Sequence, residues 1–310
     1  METLDIVTGA FSYSGAAIAR ELSRAGRRVR TLTGHPDRAP ANTDIEARPL
    51  AFDDPASLVA SMRGGQTLYN TYWVRFQHGS VDHEAAVANS RTLFRAAADA
   101  GIQRIVHVSI THPSLDSPYP YFRGKAQVED ALAELGVSHA IVRPAILFGG
   151  DGVLINNIAW LLRHLPVFAV GGTGGYRIRA IHVDDLARLC VDLGARADTT
   201  TVDAVGPESL TFRELVGAVR AAVGSRSVVV PAPAPVLLGL SRVLGVALRD
   251  NLLTREEYEA MAAGLADSDA PTTGSIRLTD WLAQHGPELG RRYANELDRH
   301  FRAPTPTRAA

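Results

Sequence analysis

Asp5-Ile6-Val7-Thr8-Gly9-Ala10-Phe11-Ser12-Tyr13-Ser14-Gly15 decides the fold, because an apolar run, a glycine turn and the start of a helix follow one another within it. A strand that ends at Gly9 and continues as a helix over 16–25 directs backbone N–H groups and the helix dipole at one spot, where a phosphate can bind. The spacing matches G-x-x-G-x-x-G, except that Ser12 takes the central glycine position. This stretch predicts a nucleotide site, with an ordinary glycine turn in a βα unit as the alternative.

Short β-rich runs alternate with helical patterns over the first 150 residues, which is typical of a parallel sheet with crossover helices. Further strands are predicted at 28–33, 46–52, 67–71, 104–109 and 140–143. The chain is therefore predicted to be α/β, with a doubly wound parallel sheet over 1–150 and a smaller, mostly helical C-terminal substrate lobe over 151–302. Residues 176–206 are expected to add a strand and a helix to the first domain, and 303–310 to form a disordered tail.

Helices are predicted beyond residue 150 at 156–165, 184–193, 254–264 and 276–301. Asp184 is the expected N-cap of one of them, and Thr211 with Glu214 forms a predicted capping box at the start of another helix. Val228–Leu248 is apolar but interrupted by prolines, so it is interpreted as a loop followed by a mostly buried helix. A membrane-surface helix is the alternative, since the uninterrupted part is too short to span a bilayer.

Charge and composition exclude several classes of partner. A net charge of −1 gives no field that would attract nucleic acid, and the single cysteine, Cys190, excludes an internal disulfide. The N-terminus has no basic segment typical of a signal peptide. We therefore expect a cytoplasmic protein with a small-molecule substrate, no nucleic-acid partner and no integral membrane segment, with oligomerisation left open. No metal site is expected, because the acidic residues beside His182 are interpreted as the start of a helix.

Ligands of doubly wound sheets bind beyond the carboxyl ends of the strands. The residues at those ends are expected to surround one cleft: Gly9–Gly15, Thr33, Asp53, Asn70–Tyr72, Ser109–Thr111 and Pro144. Asn156 and Asn157 open a later predicted helix and are candidates for substrate binding, with helix capping as the alternative.

Tyr121 and Lys125 are four residues apart and share one face if Tyr121 begins a helix. An ammonium near a phenol favours the phenolate and lowers the pKa of the tyrosine, so the pair suits proton transfer. Lys125 is the only lysine in the chain, and the other 31 of its 32 Lys and Arg residues are arginine, which is no substitute beside a catalytic phenol. Ser109 is predicted to hold a substrate carbonyl or hydroxyl, with Thr111 as the rival for that role.

Five ordered blocks of the chain resemble the short-chain dehydrogenase/reductase superfamily, and within it the extended and atypical members of the NAD(P)-dependent epimerase/dehydratase and NmrA-like kinds. The blocks are 8–15, 89–109, Tyr121 with Lys125, 143–149 and 181–187. The resemblance implies a Rossmann fold that binds NAD(P), with Tyr121 as catalytic acid/base, Lys125 on the nicotinamide ribose and Ser109 assisting. It also implies an NAD(P)-dependent oxidoreductase or epimerase/dehydratase. The alternative it leaves open is a non-catalytic NAD(P)H sensor or an accessory subunit like those of respiratory complex I.

The candidate cofactor residues are Gly9, Phe11, Ser12, Tyr13, Gly15, Thr33, Arg38, Asp53, Asn70, Lys125 and Pro144, with Pro144 expected beside the nicotinamide. The candidate substrate residues are Thr111, Tyr72, Asn156 and Asn157. The sequence departs from the family pattern at Ser12, whose hydroxyl is a candidate phosphate donor. It departs again after the second strand, where NAD-preferring enzymes place an acid and this chain has Thr33 and Arg38. NADP is therefore the expected cofactor and NAD the alternative.

Overall fold

The computed structural model describes residues 3–40, 42–75 and 82–296. The tail predicted at 303–310 and the last part of the helix predicted at 276–301 lie outside these ranges. The chain divides into two compact units. Unit 1 comprises Met1–Leu147, Ile181–Pro207 and Ser268–Ser275, and unit 2 comprises Phe148–Ala180, Glu208–Asp267 and Ile276–Ala310. The segment Ser268–Ser275, which the sequence assigned to the second lobe, belongs to unit 1.

Unit 1 is built on a seven-stranded sheet in which the paired strands run parallel. Its strands are β1 (Leu4–Thr8), β2 (Arg28–Thr33), β3 (Glu46–Pro49), β4 (Thr67–Asn70), β5 (Arg104–Val108), β6 (Ser138–Pro144) and β11 (Thr200–Ala204). The strand order is β11-β6-β5-β4-β1-β2-β3, which confirms the predicted doubly wound parallel sheet. The chain turns back at β1: β2 and β3 extend one way and β4, β5, β6 and β11 the other. The switch point between β1 and β4 is where sheets of this kind bind ligands.

Helices cover both faces of this sheet. They are α1 (Tyr13–Arg24), α2 (Pro55–Met62), α3 (His83–Asp99), α4 (Pro120–Glu134) and α6 (Val183–Gly194). Successive residues of a strand point to opposite faces. Val7 accordingly packs with Ile18 and Leu186 on one side, and Ile6 packs with Leu58 and Leu93 on the other. Both faces of the central strands are buried under helices, and β4 and β5 are buried at every residue.

Unit 2 combines helices with two small sheets. Its helices are α5 (Val153–His164), α7 (Phe212–Ala222), α8 (Ala234–Leu248), α9 (Arg255–Ala262) and α10 (Leu278–His285). Strands β8 (Val167–Gly171) and β13 (Val228–Ala232) pair in parallel, and β9 (Arg177–Ile178) pairs with β12 (Leu210–Thr211) antiparallel. Two further short strands lie elsewhere in the chain: β7 (Leu147–Phe148) spans the boundary at which unit 1 gives way to unit 2, and β10 (Ile181–His182) belongs to unit 1. The start of Val228–Leu248, interpreted as a loop, instead forms β13, and the sequence made no prediction for β8.

Two helix-start predictions have different outcomes. The Thr211–Glu214 capping box at the start of α7 is confirmed. The prediction that Asp184 caps α6 is wrong, because His182 is the N-cap and its Nδ1 accepts from the Asp184 N–H at 3.1 Å. The Asp184 carboxylate instead accepts from Arg20 at 2.8 Å, which ties α6 to α1.

The helix predicted at 276–301 is wrong in its length, since α10 ends at His285. A side chain on Gly286 would overlap the backbone of Ala222, and Gly290 has a φ of +68°. Both glycines therefore serve a turn that packs closely against neighbouring backbone.

The mostly buried helix predicted within Val228–Leu248 is also wrong. Helix α8 forms, but Gly245 is its only buried residue, and several of its aliphatic side chains face solvent. Within the ranges that the structure describes, no helix combines the length and the apolarity needed to cross a membrane.

Candidate functional site

The turn after β1 has the geometry of a phosphate-binding loop. Gly9 has a φ of +67°, a left-handed conformation that glycine adopts without strain. A side chain on Gly15 would overlap the carbonyl oxygen of Gly9, so glycine here lets α1 pack directly against the end of β1. Helix α1 begins at Tyr13, and its N-terminal dipole favours an anion at the turn.

Ser12, in the place of the central glycine, stabilises this turn. Its backbone N–H and its hydroxyl both donate to the Gly9 carbonyl, at 2.8 and 2.6 Å. The hydroxyl that the sequence offered as a phosphate donor is therefore used inside the turn. Phe11, beside it, is 37% exposed, which leaves an aromatic face open to solvent at the loop.

Side chains at the ends of β1 and β4 hold these two strand ends together at the switch point. The Thr8 hydroxyl donates to Asn70 Oδ1 at 3.1 Å and accepts from the Thr71 N–H at 2.7 Å. Asn70 is fully buried, and its Nδ2 lies 3.0 Å from Nδ1 of His107 on β5. Asn70, a candidate cofactor residue, thus organises the edge between β1, β4 and β5.

Tyr72 follows β4 and is held by polar and aromatic contacts. Its hydroxyl accepts from Asn89 Nδ2 at 2.9 Å, and its ring lies 4.8 Å from that of Phe52. Burial raises the pKa of Tyr72, although the hydrogen bond from Asn89 opposes the shift. The phenol is therefore neutral at physiological pH, which fits a binding role.

Lys125 is buried at the end of β5. It lies on α4 with Tyr121, as the spacing predicts, and is only 3% exposed. Its Nζ donates to the carbonyl of Val108 at 2.9 Å, immediately before Ser109. Burial lowers the pKa of Lys125 from its ordinary 10.5 to about 7, and the Glu129 carboxylate opposes this shift. The ammonium is thus poised to exchange its proton near neutral pH.

Trp73 connects Lys125 with Tyr121. Lys125 Nζ lies 4.6 Å from the centre of the indole, within the range of a cation–π contact. The Tyr121 ring meets the same indole edge-on at 5.8 Å, and His83 stacks on it at 5.8 Å. A side chain on Gly124 would come within 2.9 Å of the indole, so the glycine between the two catalytic candidates makes room for the ring.

Ser109 and Thr111 lie on the segment that leaves β5, and both are buried. The Ser109 N–H donates to the carbonyl oxygen of Val142 at 2.7 Å, and the Thr111 N–H donates to the carbonyl oxygen of Pro144 at 3.1 Å. These bonds fix the segment beside the end of β6, where Pro144 is buried.

Four buried polar atoms around this edge have no hydrogen-bond partner in the described part of the chain: Ser109 Oγ, Trp73 Nε1, His83 Nδ1 and His107 Nε2. Such groups are rare in folded proteins, since leaving one unpaired costs about 1–3 kcal/mol. A polar ligand at the edge would satisfy them. Together with the glycine turn, they make the residues present here a fit for a dinucleotide.

His83 and His107 were missed as site residues from the sequence. His107 has one detectable signal, a polar residue within an otherwise apolar strand core. Burial lowers the pKa of both imidazoles, and the nearby Lys125 charge adds to this for His107, so both rings are neutral at pH 7.

The residues that are candidates for distinguishing NADP from NAD lie at the end of β2 and just after it. The Thr33 hydroxyl accepts from the His35 N–H at 3.2 Å, and Arg38 closes a short 3₁₀ turn, Pro36–Arg38. Asp53 is exposed and precedes Asp54, which caps α2. No acidic residue directly follows β2, because the next two residues are Gly34 and His35.

Asn156 and Asn157 are occupied by the chain itself. Asn156 Nδ2 donates to the backbone carbonyl of Arg292 at 2.9 Å, and its Oδ1 accepts from the backbone N–H of Gly290 at 3.0 Å. Asn157 binds both the carbonyl and the N–H of Ala294, at 2.9 and 3.0 Å. The capping alternative is wrong, because α5 starts at Val153 with Gly152 as its N-cap. Both amides fasten the segment after α10, which speaks against the predicted substrate contact.

Comparison with known proteins identifies the family of the chain. The NAD(P)H-binding family matches residues 9–193, more than half of the chain, and the chain belongs to this family. This match agrees with the NAD(P)-binding domain that the sequence predicted.

Two curated relatives match part of the chain. The chain is 24% identical over 223 residues, 67% of its length, to NADH dehydrogenase (ubiquinone) 1 alpha subcomplex subunit 9 of Arabidopsis thaliana, of which the match covers 55%. It is 27% identical over 168 residues, 47% of its length, to a farnesyl-dihydroquinoline-oxide ketoreductase of Stigmatella aurantiaca, of which 50% is covered. The chain thus spans about half the length of these relatives.

Solved structures share the fold at low identity. Triphenylmethane reductase of Citrobacter sp., complexed with NADP(H), has a TM-score of 0.75 at 18% identity, covering 92% of this chain and 99% of that one. A nucleoside-diphosphate-sugar epimerase of Staphylococcus aureus has a TM-score of 0.71 at 16% identity, covering 91% and 99%.

Proposed function

We propose that this chain is an NADPH-preferring oxidoreductase that reduces a carbonyl group on a small molecule. The observation that carries the proposal is the buried Lys125 beside Ser109, whose unpartnered hydroxyl lies on the same sheet edge as the glycine turn. NADPH would supply a hydride from C4 of its nicotinamide.

The residues of this chain would supply binding and the proton. Tyr121 would donate its phenolic proton to the carbonyl oxygen, so that reduction at the expense of NADPH would give an alcohol. Ser109 holds the same oxygen through its hydroxyl. Lys125 would hold the nicotinamide ribose and would favour the phenolate that remains on Tyr121. The Gly9–Gly15 turn binds the pyrophosphate, and Thr33 and Arg38 favour the 2′-phosphate of NADPH.

Reduction is preferred to epimerisation and dehydration because no acid follows β2 to bind the 2′-hydroxyl of NAD. The structural neighbours include both reductases and epimerases. The two classes differ in one measurable respect: net reduction consumes NADPH, whereas epimerisation regenerates the cofactor in every turnover.

The first experiment is a titration followed by a turnover assay. NADPH is expected to bind at least about tenfold more tightly than NADH by calorimetry. NADPH oxidation is then followed against a panel of ketones, quinones and sugar nucleotides. In Tyr121→Phe, turnover should fall by about 10²- to 10⁴-fold while the Kd for NADPH stays unchanged, because the phenol supplies the proton and not the binding.

Tyr119→Phe is the matched control, since it removes a hydroxyl from the N-cap residue of the same helix and should leave turnover intact. Full turnover in Tyr121→Phe would remove Tyr121 from its proposed role. The curated relatives that are NADH dehydrogenase subunits favour the second candidate, a nucleotide-binding accessory subunit. Tight NADPH binding with no oxidation against any substrate would support that candidate instead.

A further inference from the structure

Helix α8 presents one apolar face to solvent. Val236, Leu240, Val243 and Val246 are 52%, 49%, 69% and 77% exposed. At 100° per residue these four side chains fall within an arc of roughly 120°. Single exposed aliphatic residues are ordinary on protein surfaces, whereas a continuous face of them marks an interaction site.

Two arginines add positive charge beside the apolar face. Arg242 and Arg249 are both exposed; Arg242 lies at one edge of the apolar arc, and Arg249 follows the last residue of the helix. The sequence of α8, Ala234–Leu248, contains no acidic residue. The face therefore carries aliphatic and positive groups only.

Arg249 occupies a position where arginine is unusual. It ends α8 in the left-handed conformation, with a φ of +54°. Glycine or asparagine normally takes this place, because a larger side chain is strained there. An arginine is nevertheless found at the point where the apolar face ends.

We propose that α8 binds in the plane of an anionic lipid surface. The aliphatic face would enter the boundary between headgroups and acyl chains, while Arg242 and Arg249 contact lipid phosphates. At 15 residues the helix is about 22 Å long, which suits lying on a bilayer and is too short to span its core.

A second copy of this chain is a poorer occupant of the face. A twofold contact places the same patch on both partners. Arg242 lies near the middle of α8, so such a contact would bring two arginines together, and the helix has no carboxylate to pair with them. Lipid phosphates supply the missing negative charge.

The test is co-sedimentation of the full chain with vesicles of phosphatidylcholine alone and of phosphatidylcholine containing about 30 mol% phosphatidylglycerol. The chain should partition onto the anionic vesicles at least about tenfold more strongly, and salt should weaken the binding. Arg242→Gln with Arg249→Gln should weaken it on the order of 25-fold, about fivefold for each charge. Val243→Glu with Val246→Glu should abolish it on both kinds of vesicle.

Leu115→Glu is the matched control, because Leu115 is 52% exposed but lies outside α8, and it should leave vesicle binding unchanged. Circular dichroism and the Kd for NADPH should stay constant across all variants, which separates this surface from the nucleotide site. Failure of the wild type to bind anionic vesicles would overturn the proposal. Equal binding by wild type and Val243→Glu/Val246→Glu would overturn it as well. Sedimentation velocity showing a dimer that these substitutions dissociate, without vesicle binding, would assign the face to a second copy.

Discussion

Polar side chains at the carboxyl edge of the sheet in unit 1 and on helix α5 in unit 2 differ in whether the chain itself supplies their hydrogen-bond partners. At the sheet edge, Ser109 Oγ and His83 Nδ1 have no partner in the described part of the chain, and Lys125 is buried with a lowered pKa. On α5, Asn156 and Asn157 are bonded to backbone of the segment after α10. Both regions were candidates from the sequence.

The contrast separates a ligand site from a structural one. Unpaired polar atoms and a buried ammonium lower the stability of the fold, so they persist where a ligand later completes them. Amides bonded to the backbone of the chain itself stabilise the fold and leave less capacity for a ligand. Variants at the sheet edge should therefore change function or increase stability, whereas variants on α5 should decrease stability alone.

Lys125→Met gives the largest expected effect on this comparison. The folded pKa of about 7 lies below the ordinary 10.5, so between these values the unfolded chain holds a proton that the folded chain lacks. The contribution of Lys125 to the free energy of unfolding is therefore lowest below pH 7 and rises with pH up to about 10.5. Relative to Lys125→Met, wild type should gain roughly 3 kcal/mol in free energy of unfolding between pH 7 and pH 10.

Urea denaturation of both proteins across this pH range measures the difference and needs no cofactor. Lys125→Arg is the control, because its guanidinium stays charged and should remain destabilising throughout. A difference between wild type and Lys125→Met that is independent of pH would mean that Lys125 keeps its proton in the folded protein.

Gly15→Ala changes the glycine turn after β1, and we expect it to have the next largest effect on stability and NADPH affinity. The added methyl would overlap the Gly9 carbonyl and push α1 away from β1, which costs about 1–3 kcal/mol of stability. NADPH affinity should fall on the order of 10- to 100-fold if binding has to overcome this strain. Calorimetric titration and thermal denaturation measure the two effects.

Gly217→Ala is its control, since Gly217 lies on α7 with open space around it. It should raise stability by about 0.5–1 kcal/mol through helix propensity and leave NADPH affinity unchanged. Unaltered NADPH binding in Gly15→Ala would exclude the glycine turn as the phosphate site.

Asn157→Ala gives the smallest expected effect. Loss of its two bonds to Ala294 should reduce the free energy of unfolding by about 1–2 kcal/mol, with turnover and NADPH affinity unchanged. Thermal denaturation measures the loss of stability, and steady-state kinetics measures turnover. A raised KM at unchanged stability would restore the substrate role that the sequence suggested.

Local features of the sequence determined the sheet and the two ends of the site. Alternation of apolar runs and helical patterns predicted β1 to β6, the spacing of Gly9 and Gly15 predicted the turn, and that of Tyr121 and Lys125 placed both on α4. These features depend on neighbours a few residues away, through strand and helix periods and the conformational freedom of glycine.

Only the tertiary structure decided the rest. Ala294, the partner of Asn157, lies 137 residues further along the chain, and Trp73 contacts Lys125 of α4 from the segment that follows β4. The exposure of α8 likewise depends on what packs against the helix, and its apolar composition wrongly suggested burial. The sequence therefore named several candidate residues and missed His83 and His107, while burial and long-range partners decided which candidates have polar atoms left without a partner, because desolvation and hydrogen bonding depend on the surrounding fold.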